Sequence, residues 1–344
     1  MPVTLEHGEG SVLIEELPDG KRRLTVTPRH KAQFIIQNQW TTSYPLDLIQ
    51  LMLDVNGAAG LCFEIMRDED HSFVQRLLEN DLFAYFAPTD FEAKRILDFG
   101  CGDGASTIIL ARMFPRSQIT GVELVPSALS VANKRAEHYQ LKNVSFHQSP
   151  SGTELPESLG QYDFVILSAV FEHLLPPERT ALMPKLWSAV REGGYLFINQ
   201  TPNLLFPVEL HTTMLPLINY LPDRLVLEVA HRFSRRISRN ETWEDLLRKG
   251  IRGATEREIL RLLPAGDSIA VMLEPMNHGL KDRIDLYYVN TNPTRLRTIK
   301  RIARRAIKAI SIVTGVTLVP DLSLAFQKLS NRPGSYLSTA GHGP

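Results

Sequence analysis

Between Lys94 and Asn199 the apolar residues come in short runs, and stretches with helical spacing lie between them. Ile96, Leu97 and Phe99 surround Asp98 and predict a buried parallel strand, which breaks into Gly100, Gly102 and Gly104. Ser106 to Arg112 continues with helical spacing through Ile108, Ile109 and Ala111, so a helix N-terminus with free N–H groups follows the glycine turn. Ile119 to Val122 predicts a second strand ending at Glu123, Val144 to His147 a third, and Tyr162 to Leu167 a fourth. A helix opened by Pro176 or Pro177 runs through Leu182, Leu186 and Val190, with Gly193-Gly194 marking its end, and Tyr195 to Asn199 predicts a fifth strand. This alternation predicts an α/β fold with a doubly wound sheet, whose ligand lies outside the carboxyl ends of the strands. The exit loop from the fourth strand, Ser168 to Leu174, is on that edge.

Additions flank this core. Val12 to Leu17 and Arg23 to Thr27 predict a hairpin around Pro18-Asp19-Gly20. Pro45 to Val55 predicts a helix stopping at Asn56-Gly57, and Ser72 to Phe86 a second one. Residues 1–90 are therefore expected to form a hairpin and helices that cover the site. About sixty residues follow the fifth strand, with a helix at Thr242 to Lys249 and a capping-box pattern, Thr255 with Glu258, opening another. Ile269 to Leu273 and Ile284 to Val289 predict two further strands, the first parallel and the second reversed.

The glycine turn carries the chemistry. Its spacing is G-x-G-x-G, where a dinucleotide fingerprint has G-x-G-x-x-G. Asp98, two positions before the first glycine, would repel a pyrophosphate but tolerate a ligand bearing an amino group and a sulfonium. Glu123 can accept hydrogen bonds from both hydroxyls of a ribose. S-adenosylmethionine (SAM) meets these conditions best, with NAD and a pure packing turn as the remaining readings.

The run Leu97-Asp98-Phe99-Gly100-Cys101-Gly102-Asp103-Gly104 resembles the first motif of the class I SAM-dependent methyltransferases, and the likeness extends from Arg95 to about Asn203. The resemblance implies a Rossmann-like seven-stranded mixed sheet with an antiparallel last strand, spanning 91–292. It implies that Gly100 and Gly102 line the methionine part of SAM, that Glu123 meets the ribose, and that Leu124 packs near the adenine. Asp98, Gly104 and Ser168 complete the expected cofactor set. After the third strand, where the family often has an acid for the adenine amino group, Gln148 to Gly152 contains none. The exit Phe171-Glu172-His173-Leu174 resembles the ubiquinone-biosynthesis type. Thr201 to Pro222 is similar to bacterial methyltransferases of surface polysaccharide or lipid modification.

Residues 203–263 are the expected substrate lid, stiffened by Pro207, Pro216 and Pro222. Methyl transfer to a hydroxyl needs alignment and removal of a proton, and histidine is the natural base. His173 and His211 are the candidates, with Glu172 and Glu209 beside them, able to orient an imidazole or bind a metal; each histidine has an equally good structural reading, as a cap or a lid hydrogen bond. No dedicated metal centre is expected. A sugar hydroxyl of a glycan or lipid-linked intermediate ranks first as acceptor, then a quinone-like phenol or other small metabolite. An NAD-dependent oxidoreductase and a non-catalytic SAM-fold partner protein are the other readings.

Composition narrows the setting. Only Cys62 and Cys101 occur, which favours a reducing compartment over a disulfide or zinc framework. The start, MPVTLEHGEG, shows no signal peptide, and no apolar run reaches spanning length, so a cytoplasmic protein is expected. A formal net charge of +0 argues against nucleic acid as a partner. Between Asp285 and Asp321 there is no acid, and Arg295, Arg297, Lys300, Arg301, Arg304, Arg305 and Lys308 accumulate. A basic amphipathic helix over 293–330 follows, for which contact of 295–310 with the inner face of a membrane is one reading and a solvated charged face the other. Residues 331–344 are expected to be a flexible end.

Overall fold

Alternating apolar residues near the N-terminus build β1 (Val3–His7), β2 (Gly10–Glu16) and β3 (Arg22–Pro28), which join β4 (Gln39–Thr42) in an antiparallel sheet of order β1-β2-β3-β4. The computed structural model describes residues 2–30, 36–264, 266, 268–291 and 297–331. The hairpin forms as expected, with Val12 opposite Val26 and Ile14 opposite Leu24. Those four side chains bury against Leu48, Ile49, Met52, Leu53, Leu61 and Ile65 of α1 (Leu46–Glu69). The predicted stop at Asn56-Gly57 is a break inside a longer helix. Gly57 takes φ 72 and ψ 168, after which the buried face resumes with Ala58, Leu61 and Cys62. By length and composition α1 could cross a membrane, against the expectation that no run is long enough. Its apolar face is consumed by this core.

After α2 (Arg76–Phe83) come β5 (Arg95–Phe99), α3 (Ala105–Met113), β6 (Gln118–Glu123), α4 (Pro126–His138), β7 (Val144–Gln148), β8 (Tyr162–Ser168), α5 (Pro176–Ala189) and β9 (Val190–Pro202). The segment expected as a lid carries α6 (Asp223–Phe233), α7 (Trp243–Arg248) and α8 (Glu256–Leu262). The chain then forms β10 (Ser268–Met272), α9 (Arg283–Asn290), α10 (Arg297–Thr314) and β11 (Asp321–Ser330). The fold is α/β, a Rossmann-like seven-stranded mixed sheet in the order β10-β11-β9-β8-β5-β6-β7. β5, β8 and β9 are parallel neighbours, and β11 runs antiparallel to both β9 and β10. The chain divides into two compact units. One comprises Met1–Glu79, Phe91–Ala93 and Gly100–Gln148, the other Asn80–Asp90, Lys94–Phe99 and Ser149–Pro344.

Three expectations are corrected. Ile284 to Val289 is helical, not a strand: Asp282 caps α9 by accepting the Asp285 N–H at 2.9 Å, and Ile284, Asp285 and Leu286 are buried. The reversed strand is β11 instead, so the basic helix expected over 293–330 ends at Thr314 and the sheet continues past residue 292. Helix α5 ends at Ala189, and Gly193-Gly194 lies in β9, where the pairing with β8 shifts register between Tyr162 and Phe164. The flexible end proposed for 331–344 lies, beyond Asn331, outside the described residues, as does Arg295.

The assignment of β11 to the sheet is open to test. Phe326, fully buried between Leu196 and Met272 on the neighbouring strands, should cost about 3–5 kcal/mol of unfolding free energy when changed to Ala. Ile269→Ala, at an exposed position of β10, should cost less than about 1 kcal/mol in the same denaturant titration.

Candidate functional site

In the first unit the strand-to-helix turn is built on left-handed backbone. Gly100, Gly102 and Gly104 have φ of 73°, 56° and 87°. The Gly100 and Cys101 N–H groups donate to the Val122 carbonyl at 2.8 and 3.1 Å, which ties the turn to β6. Glu123, at the carboxyl end of that strand, accepts the Gly102 N–H on Oε2 at 2.9 Å and the Leu124 and Val125 N–H groups on Oε1 at 2.8 and 3.1 Å. A Cβ at Gly102 would meet nothing within 4 Å, so the backbone there borders open space that a ligand can fill. Gly104 has a different reason to be glycine: a Cβ would stand 2.6 Å from Ala132 Cβ on α4, so close helix packing requires it. Leu124 is 46% exposed at the mouth of the turn.

Behind the turn is an ion-pair network that sequence reading missed. Arg135, fully buried on α4, donates to Asp103 Oδ2 at 2.8 Å and to the Glu64 carbonyl at 2.8 Å, with Asp68 at 3.5 Å. Tyr44 donates its hydroxyl to Asp68 at 2.6 Å. Burial works against the charge of Arg135, but the surrounding Asp103, Tyr44, Asp68 and Glu64 outweigh it and raise its pKa. The middle acid of the glycine turn is thereby fixed from beneath, a role that G-x-G-x-G spacing does not reveal.

The second unit holds the strand ends and the candidate bases. Asp98, at the end of β5, is buried. On the adjacent strands Ser168 lies opposite Asn199, and the Ser168 hydroxyl and both Asn199 amide atoms are buried without a hydrogen-bond partner. Orphaned polar groups at this edge of a parallel sheet fit a ligand that would satisfy them. Asn199 had only its place at the end of a predicted strand to mark it.

Beyond Ser168 the chain forms a tight 3₁₀ turn, Phe171–His173. Glu172 is fully buried; its Oε2 accepts the Thr201 hydroxyl at 3.3 Å, and its Oε1 has no hydrogen-bond partner. Burial pushes its pKa up to about 8. His173 Nδ1 lies 2.7 Å from the Arg248 carbonyl, which can only accept, so in the neutral ring the proton is on Nδ1 and Nε2 carries the lone pair. That Nε2 is 3.8 Å from Glu172 Oε1. The His211 ring is 5.7 Å from that of His173, centroid to centroid, and its pKa is lowered by burial and then by His173. One ligand atom from each of Glu172, His173 and His211 lies within 4.8 Å of the others, a set that can also hold a cation. Gly250, at φ 86°, closes the cluster: a Cβ would stand 3.0 Å from both Glu172 Cγ and His211 Cδ2.

Three sequence-predicted residues thus converge, and a fourth does not. Glu209 was expected to orient an imidazole or bind a metal. Instead its carboxylate accepts the N–H groups of His211, Thr212 and Thr213 at 2.8, 2.7 and 2.5 Å, so it shapes the loop that carries His211. Thr255 caps α8 as the capping box predicts, but Glu258 turns to Arg179 at 2.9 Å.

Residues 96–194 match the family described as "Methyltransferase domain". The ubiquinone biosynthesis O-methyltransferase of Acinetobacter baylyi is 32% identical over 114 residues, which are 32% of this chain and 45% of that protein. The trans-aconitate 2-methyltransferase of Methylobacterium radiotolerans is 31% identical over 122 residues, 35% of this chain and 44% of that protein. The solved structure of StiE O-MT covers 84% of this chain and 83% of its own, at 16% identity and a TM-score of 0.42. The chain spans less than half the length of the two curated relatives. With the glycine turn, Glu123 and the sheet order, the match identifies a class I SAM-dependent methyltransferase domain, with SAM as its cofactor.

The two glycines are separable by experiment. Gly104→Ala should lose at least about 2 kcal/mol in urea denaturation, from the clash with Ala132 and the left-handed backbone together. Gly102→Ala should cost only about 1 kcal/mol of stability. Its larger effect should be weaker binding of S-adenosylhomocysteine in titration calorimetry.

Proposed function

We propose that this chain transfers the methyl group of SAM to a hydroxyl oxygen, with His211 as general base and Glu172 and His173 orienting the acceptor. The observation that supports the reading most is the convergence of Glu172, His173 and His211 on one spot, where Glu172 is buried, His173 half-buried and His211 open to an incoming acceptor. The acceptor ranked first is a sugar hydroxyl of a glycan or lipid-linked intermediate. A phenolic hydroxyl is second, the class of reaction named for the Acinetobacter relative being O-methylation.

When bound, SAM supplies a methyl group on a positively charged sulfur. That methyl group would go to the acceptor oxygen, with S-adenosylhomocysteine as the leaving group, and His211 would take the hydroxyl proton. A lowered imidazole pKa keeps His211 neutral and able to accept at neutral pH. Ser168 and Asn199 offer unpaired polar groups to a ligand at the strand ends. Leu210, 42% exposed, and the helices α6 to α8 form the proposed lid, which excludes water from the transfer.

Labelled methyl transfer from SAM into fractionated cell extract tests the activity, and NADH binding without S-adenosylhomocysteine binding would replace this reading by the oxidoreductase one. With an acceptor in hand, His211→Ala should lower kcat about 10²- to 10⁴-fold while leaving S-adenosylhomocysteine affinity near native. Turnover in the native protein should fall as pH drops, with its inflection below the ordinary histidine range, because protonation removes the base. Unchanged turnover in His211→Ala removes it from the chemistry. Activity abolished by a chelator and restored by a divalent cation would move the three side chains to a metal-binding role.

Glu172 makes a separate prediction for stability. Its folded-state pKa of about 8 lies above the unfolded value, so the folded protein holds that proton more tightly. Its contribution is fully present below the unfolded pKa and is lost as pH rises through the folded one. Glu172→Gln, which cannot ionise, should therefore gain in Tm relative to the native chain between about pH 5 and about pH 8.5. A constant difference across that range would show that the carboxyl does not titrate there.

A further inference from the structure

Helix α10 is anchored by ion pairs. Arg304 reaches Asp285 at 2.7 Å, and Lys308 reaches Asp282 at 2.8 Å and also pairs with Asp285, so two cations hold it against α9. An amphipathic helix that belonged to the core would turn its apolar stripe inward. Here Ala303 and Ile307 are half-buried, and four other large aliphatic side chains face outward. Ile302 is 63% exposed, Ile310 44%, Ile312 85% and Val313 86%. Leaving four large aliphatic side chains in water carries a cost that a partner would recover. Arg301 and Arg305 are exposed on the same helix and take no part in the three anchoring ion pairs.

We infer that the exposed face of α10 is a docking surface for an anionic lipid bilayer, with the helix lying in the plane of the interface. Two features select this occupant. Exposed aliphatic side chains flanked by arginine match both layers of a bilayer surface, aliphatic chains below and anionic headgroups above. A second copy of the same face would instead bring Arg301 and Arg305 against their like. The two anchoring cations leave the apolar side chains free to enter the lipid while α10 stays attached to α9. The surface is independent of the methyl-transfer chemistry, although a lipid-linked acceptor would be found at the same place.

The test is co-sedimentation of the full chain with phosphatidylcholine vesicles, with and without about one third phosphatidylglycerol. Binding is expected to the anionic vesicles and much less to the neutral ones, and to weaken when salt is raised from about 0.1 M to about 0.5 M. The double variant Ile312→Asp/Val313→Asp should lose about ten-fold or more in vesicle affinity, and Arg301→Gln/Arg305→Gln several-fold. Titration with S-adenosylhomocysteine, expected at native affinity in both, confirms that the variants are folded. No sedimentation with anionic vesicles overturns the inference, as do equal binding to both vesicle types and native-like sedimentation of the aspartate variant. Concentration-dependent dimerisation that the aspartate variant abolishes, without vesicle binding, would assign the face to a second copy instead.

Discussion

The second unit is organised around one buried guanidinium, that of Arg179. Arg179 donates through Nε to the Leu174 carbonyl at 2.9 Å, through Nη1 to the Gly253 carbonyl at 2.8 Å and to Glu258 at 2.9 Å, and through Nη2 to the Glu172 carbonyl at 3.3 Å, while lying 4.6 Å from the centre of the Phe171 ring. Its partners come from the exit of β8, the loop after α7 and helix α8. A planar fork with five donors can serve carbonyls in several directions at once, and an ammonium at the end of a flexible stem cannot hold the same geometry. Through this contact the backbone of Glu172 is fixed, and with it the direction of the side chain that meets the histidines. Arg248 extends the arrangement: it holds Glu178 through two bonds of 2.5 and 2.6 Å, and its carbonyl sets the tautomer of His173.

The first unit solves a similar problem with Arg135. Breaking a buried ion pair by removing one partner is costly, because the other charge is left in a medium that solvates it poorly. That asymmetry gives the pairing its value as a positioning device, whatever its net worth to folding. Asp103 cannot leave the glycine turn without stranding Arg135, and Asp68, bound in turn by the Tyr44 hydroxyl, limits where Arg135 can go. The turn therefore presents its backbone in a fixed shape, while its apparent flexibility as a run of glycines is spent on left-handed φ values.

How much of this was legible in the sequence follows from how local each signal is. The five strands from Ile96 to Asn199 and the turn between the first two are encoded within windows of a few residues, and the structure reproduces them. Ile284 to Val289 misled because β-branched and aromatic residues read as strand, while the evidence for a helix was one cap, Asp282, and a pair of buried positions. β11 was hidden behind a basic helix whose charge dominated the reading of the tail. Arg179 and Arg135 were invisible for a different reason: their partners lie as far as 79 residues away along the chain, and a lone arginine on a helix has no pattern. Glu209 shows the converse error, since proximity in sequence to His211 suggested a side-chain partnership that backbone N–H groups won.

The pair Glu172 and His211 carries the proposed chemistry a step further. Burial raises the acid to about 8 and lowers the imidazole, so the usual order of the two groups is inverted and both are neutral near pH 7. Asp321 in the same unit is likewise pushed up to about 6, chiefly by burial and then by Asp81 and Glu209. At Glu172 burial outweighs the nearby Arg179 and keeps the carboxyl protonated near pH 7. A neutral hydroxyl can enter such a place without displacing any proton, whereas an ammonium would draw Glu172 into its ionised form at a cost in desolvation. In the proposed reaction the hydroxyl proton would move to His211 as the methyl group transfers, and the imidazolium so formed would lower the cost of ionising the carboxyl beside it. Charge would then develop only with the reaction, the condition under which electrostatic interactions favour the transition state over the bound acceptor.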